Sequence, residues 1–223
     1  MAKKISKKLQ TIAENVNKVY SSGYTGGYAV GYNEGYDSGM VDAPANEEIK
    51  LYKSIVENTI SGEVVIPENF KVGSSGMYSR TKITKLTVPA SCSVDTYSFQ
   101  KCTGLIEVEW YKNYTIGTAL YQCSNLTTVI FHNRVGFRGN DVFGACSSLE
   151  NVIFNSTCFL INDISCNFTS TTVLTVQSML NLFNALEDNT GGTTFTIKLG
   201  ATNLAKLTEE QKAIAVNKNY ALA

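Results

Sequence analysis

Six cysteines, a single histidine and two glutamates spaced two apart are the groups in this 223-residue chain best suited to chemistry. Thiolates act as nucleophiles or metal ligands, an imidazole as a base, and a carboxylate pair as the acid and base of glycoside hydrolysis. Each pattern falls short of those demands. No two cysteines form a Cys-x-x-Cys pair, and His132 alone cannot supply a histidine-rich zinc cluster. Glu107 and Glu109 share one face of a strand, as ordinary solvated strand residues do. The glycines between Tyr24 and Tyr36 match neither Gly-x-Gly-x-x-Gly nor a phosphate-binding loop, and no strand precedes them. The sequence therefore predicts no catalytic residue, no metal site, no cofactor and no enzyme.

The cysteines take on another meaning when their surroundings are compared. Phe99-x-x-Cys102-x-x-Leu105-x-x-Val108-x-Trp110 recurs as Leu120-x-x-Cys123-x-x-Leu126-x-x-Val129-x-Phe131 and again as Phe143-x-x-Cys146-x-x-Leu149-x-x-Val152-x-Phe154. A repeat of this length marks a solenoid, in which each coil adds a short strand whose alternate side chains point inward. A degenerate copy precedes these three at Met77, Arg80, Ile83, Leu86 and Val88, Val64 with Ile66 forms the strand of an earlier one, and a weak last copy runs from Cys166 to Val173. The cysteines at the repeated offset read as core, small apolar groups with a weak donor. A reactive or disulfide-forming set is the alternative.

The phrases Tyr97-Ser98-Phe99-Gln100-Lys101-Cys102-Thr103-Gly104-Leu105 and Val142-Phe143-Gly144-Ala145-Cys146-Ser147-Ser148-Leu149 resemble the BspA-like class of leucine-rich repeats over residues 64–173. That class occurs on bacterial surfaces and in phage or prophage tail-associated proteins. The opening, Met1 to Leu9, and the closing stretch, Leu204 to Val216, are similar to the phage-associated members, and the resemblance implies a tail-associated appendage. The family's run of Ile-Pro, Ile-Gly and Ala-Phe is eroded here, with proline kept only at Pro67 and Pro89, so the convex side of the coils is less defined than the strands.

Both ends depart from the repeat. Ile5, Leu9, Ile12, Val16 and Val19 have the four-three spacing of a coiled-coil seam, or of a short amphipathic helix lying on the solenoid. Gly23-Tyr24, Gly27-Tyr28, Gly31-Tyr32, Gly35-Tyr36 and Gly39-Met40 then keep a four-residue period. In a helix each glycine costs about 1 kcal/mol relative to alanine, so this helix needs packing against other chains, with glycine grooves receiving tyrosine knobs. A flexible linker is the alternative. Past Val173, the helical spacing of Val176, Met179, Leu180, Phe183 and Leu186 predicts a helix, Phe195, Ile197 and Leu199 a strand, and Thr208 to Gln211 the capping box of a second helix. This αβα region is expected to cap the last coil, with a separate binding domain as the other reading.

The expected fold is α+β: an N-terminal helical oligomerisation segment over residues 1–42, a connector over 43–62, a leucine-rich-repeat solenoid over 63–173 and a C-terminal cap over 174–223. The candidate ligand-binding surface is the outward row of stacked strands, namely Glu107, Glu109 and Tyr111, then Thr128, Ile130 and His132, then Asn151, Ile153 and Asn155. An inert solvated face is the competing reading. With 19 basic and 19 acidic residues the chain carries no field that would draw it to nucleic acid or to a membrane. No apolar run suits a signal peptide or a membrane span, so cytoplasmic synthesis is expected, with a virion or extracellular appendage as the destination. The expected partners are the chain itself, as a homo-oligomer or fibre, and a host surface protein or glycan. A monomeric adhesion module of the same repeat class is the rival.

Overall fold

The computed structural model describes residues 51, 54, 55, 57–138, 141–161 and 166–223. The seam from Ile5 to Val19 and the Gly-Tyr series from Gly23 to Gly39 lie outside the described residues. The chain separates into two compact units at Ile60 and Ser61, and the second, Ser61–Ala223, holds the repeats and the C-terminal elements together.

One parallel sheet of five strands runs through the repeats: β1 (Gly62–Val65), β3 (Ile83–Val88), β5 (Glu107–Trp110), β7 (Thr128–Phe131) and β9 (Asn151–Phe154), in that order. The register is that of the sequence repeat. Leu86, Val108, Val129 and Val152 are successive partners, as are Val88, Trp110, Phe131 and Phe154. Leu105, Leu126 and Leu149 are fully buried at the entry to these strands, each N–H donating to the carbonyl of the cysteine three residues before it. No coil could bury its apolar side chains alone, so the stack itself is the core. Val64 pairs with Leu86 and Ile66 is buried, placing the earlier copy where the pattern put it.

The thiols are bound into the same frame. Cys102 Sγ donates to Met77 O at 3.1 Å, Cys123 to Phe99 O at 3.2 Å and Cys146 to Leu120 O at 3.2 Å, in each case reaching back one coil. All six cysteines are free and buried, so the disulfide alternative falls away. The residue before each repeat cysteine, and before Arg80 in the degenerate copy, turns the chain through the left-handed region: Ser79, Lys101, Gln122 and Ala145 have φ of 55°, 58°, 62° and 56°.

Three expectations need correction. Each coil contributes two strands rather than one. The second row comprises β2 (Lys71–Val72) paired with β4 (Ser93–Val94), and β6 (Tyr114–Ile116), β8 (Val135–Phe137) and β10 (Cys158–Leu160) in a parallel three-stranded sheet. The last copy is framed by Phe168, Thr171 and Leu174 rather than by Cys166 to Val173. Phe168 stacks on Phe143 at 5.1 Å, Thr171 Oγ1 donates to Cys146 O at 2.7 Å, and Val173 points into solvent while Leu174 is buried. The cap is not αβα: it runs α1 (Val176–Ala185), β11 (Phe195–Ile197), α2 (Ala201–Leu204), α3 (Glu209–Val216) and β12 (Tyr220–Leu222), with β12 pairing parallel to β11.

Helix α1 begins where a further strand of the five-stranded sheet would lie. Thr175 caps it, accepting from Ser178 N–H at 3.1 Å, and Ser178 Oγ accepts the Val152 N–H of β9 at 2.7 Å. Its buried face is Ser178, Met179, Leu182 and Phe183, so Leu182 takes the place expected of the half-buried Leu180. Lys218 Nζ donates to the carbonyls of Phe183, Asn184 and Leu186 at 3.0, 2.8 and 2.7 Å, a cation on the unsatisfied end of α1. The expected capping box forms at Thr208 and Gln211. Among the described residues no helix is long and apolar enough to cross a membrane.

Candidate binding face

The outward residues of the five-stranded sheet fall into continuous rows because the register is unbroken after β1. One row reads Glu63, Lys85, Glu107, Thr128 and Asn151; the next reads Val65, Thr87, Glu109, Ile130 and Ile153. The ladder continues one residue past the strands, as Tyr111 N–H donates to Val88 O, His132 N–H to Trp110 O and Asn155 N–H to Phe131 O. All nine candidate residues therefore share one face, with Asn155 exposed and the other eight half-buried.

Lys85 ties the acidic corner together. Its Nζ lies 2.6 Å from Glu107 Oε1 and 2.7 Å from Glu109 Oε1. Tyr111 Oη donates to Glu109 Oε2 at 2.9 Å, and its ring stacks flat on His132, with centroids 3.9 Å apart and planes 2° from parallel. Asn155 Nδ2 lies 3.2 Å from His132 Nδ1 on the far side. His132 Nε2 sits 3.3 Å from Glu109 Oε2 without the alignment of a hydrogen bond. His132 lies on the outward row, stacked on the Tyr111 ring and in contact with Asn155 through its Nδ1 edge, with 23% of its side chain accessible.

The charges follow from these contacts. The hydrogen bonds from Lys85 and then Tyr111 hold the Glu109 carboxyl below its ordinary range, and bonds to Glu107 and Glu109 push the Lys85 ammonium up. The bond to Glu109 likewise raises the Tyr111 phenol. A glycosidase acid must have a raised pKa and a free proton to give. Glu109 has the opposite setting. Among the described residues no group of three His, Cys, Asp or Glu side chains is placed to hold a metal.

The face thus offers a fixed set of charges at β3 and β5, an aromatic stack at its rim, and hydroxyl, amide and aliphatic groups across β7 and β9. Thr128, Ile130, Asn151 and Ile153 are brought together as expected, with Thr175 Oγ1 3.5 Å from Asn151 Oδ1 where the cap begins. Lys85 was not singled out in the sequence. The signal was present: it occupies in the degenerate copy the offset that Glu107 occupies in the next.

Residues 50–106 and 71–187 match the BspA type leucine rich repeat region, with six copies. No curated protein and no solved structure matches the chain. Leucine-rich repeats of this type are typically non-enzymatic and present a repeat surface for binding or adhesion. The spacing of the cysteines, the in-register parallel sheet and the family match describe one object: the chain belongs to the BspA type leucine-rich-repeat family.

Proposed function

We propose that this chain is a non-enzymatic structural and recognition protein, a phage or prophage tail-associated appendage that self-assembles through its N-terminal segment and binds a host surface protein or glycan. The observation that carries the recognition half is the prearranged outer face, in which Lys85, Glu107, Glu109, Tyr111, His132 and Asn155 already hold one another in place. Groups ordered before binding lose little freedom on contact, which favours affinity. The tail-associated half is supported by the likeness of Met1 to Leu9 and Leu204 to Val216 to phage-associated members. The self-assembly half is supported by the Ile5 to Val19 spacing and the four-residue Gly-Tyr period.

The test has two arms. In light scattering, the full-length protein is expected to give a defined oligomer or fibre, and a chain lacking residues 1–40 a monomer; a monomeric full-length protein would end the assembly reading. In a cell-binding assay with fluorescently labelled protein, Tyr111→Ala together with Glu109→Gln is expected to abolish retention on host bacteria. Equal retention of the double variant would remove the strand face as the contact surface.

A further inference from the structure

A second surface collects polar atoms that the fold leaves without partners. Trp110 Nε1, Thr118 Oγ1 and Asp141 Oδ1 are all buried and have no hydrogen-bond partner among the described residues. Such atoms cost free energy to bury, and an acceptor or donor from outside the chain would offset that cost. Trp110 and Thr118 are 1% and 3% exposed, and both line one groove of about 670 Å3 with Asp95, Thr96, Tyr97 and Arg138. Asp141 lines an adjoining cleft of about 270 Å3 with Gln100 and Tyr121, and Tyr97 lines both. The Tyr97 and Tyr121 rings meet edge to face at 6.5 Å. This surface follows the second strand row and uses none of the nine strand-face residues.

The geometry points to a neutral oligosaccharide as the ligand of this groove, seated against Tyr97 with its hydroxyls on Trp110, Thr118 and Asp141. An indole N–H and a guanidinium donate, a carboxylate accepts and a threonine hydroxyl does both, a mixture that matches vicinal hydroxyls. The tyrosine rings supply flat apolar faces for sugar C–H groups. Charge argues against an anion, because Asp95 and Asp141 stand opposite the single Arg138 cation of the lining. The backbone agrees: Tyr97 and Asp141 are held at φ of 60° and 64°, and a Cβ on Gly144 would come within 2.5 Å of both Tyr121 Cε2 and Asp141 Oδ2. A side chain at that position would have to displace Tyr121 or Asp141.

The chain's single tryptophan is its own reporter. Full-length protein is titrated with maltohexaose, chitohexaose and cellohexaose, and with hexagalacturonate as the anionic counterpart, while Trp110 emission is followed. At least one neutral hexasaccharide is expected to give a saturable shift. Tyr97→Asn, which suits a left-handed backbone, is expected to weaken it about tenfold, the scale of one lost ring contact. Thr118→Val removes the unpartnered hydroxyl at nearly constant volume, so it is expected to weaken binding while leaving the melting temperature equal or higher. No shift with any neutral sugar, a shift of equal affinity in both variants, or tighter binding of hexagalacturonate would each overturn the assignment.

Discussion

The side chain that defines the repeat is a cysteine, and its position explains why it is inert. Each thiol sits buried in a turn between coils and donates to a backbone carbonyl of the preceding coil. Burial pushes the thiols of Cys92 and Cys102 up to about 11 and that of Cys146 up to about 12 from an ordinary 9.0. Native protein is therefore expected to resist Ellman's reagent at pH 8, and all six cysteines to react in denaturant. The linkage has a definite sign: above pH 9 the unfolded chain releases thiol protons that the folded chain retains, so stability is full below that pH. Each such thiol then removes about 1.4 kcal/mol per pH unit until its folded pKa is reached, so urea midpoints are expected to fall from pH 9 to 11. A serine in place of Cys123 would keep the second donor to the Phe99 carbonyl, whereas Cys123→Ala leaves that carbonyl with the Cys102 N–H alone, at 3.3 Å. This row was legible because chemistry and spacing repeat together. Lys85 was not, because the copy that holds it has Arg80 where the others have cysteine.

Among the elements, the strands that alternate over four or more residues were visible, and of those of two or three residues only β11 was, because Leu199 extends its alternation. Lys71–Val72, Ser93–Val94 and Tyr220–Leu222 are too short to show a period; the first two pair with each other as the coils stack, and the third pairs with β11 within the cap. The end of that sheet was legible only as a change of period. What the structure adds is the device: Ser178 of α1 supplies the acceptor that the next strand would have given Val152 N–H, and Asn181 Nδ2 reaches Val152 O at 3.5 Å. An exposed parallel edge invites pairing with another chain. Ser178→Ala leaves a buried N–H unpaired and is expected to lower stability by about 1 to 3 kcal/mol in urea titration. A wild-type midpoint would show that α1 covers the edge by packing alone. The left-handed corners make a complementary prediction. Ala145 is exposed at φ of 56°, so Ala145→Gly is expected to raise stability by about 0.5 to 1 kcal/mol, the reverse of glycine's usual effect.

At the scale of the molecule, the fold is a row of coils that each lean on two neighbours. The aromatic side chains continue that contact from coil to coil, Phe131 lying 5.2 Å from Phe154 and Phe143 5.1 Å from Phe168. A cavity in a middle coil is therefore felt on both sides. Leu126→Ala is expected to cost about 2 to 5 kcal/mol. Hydrogen exchange should quicken in β5 and β9 before it does in α3, since stability in such arrays is a sum over neighbours. Uniform loss of protection through α3 would mean that the unit opens as one. The corners before Arg80, Cys102, Cys123 and Cys146 carry serine, lysine, glutamine and alanine at the same backbone turn. Glycine is not required there, because the coils above and below dictate the bend. The scaffold has in effect separated its spelling from its grammar: the side chain that projects from each corner can differ from coil to coil while the stack that holds it stays the same.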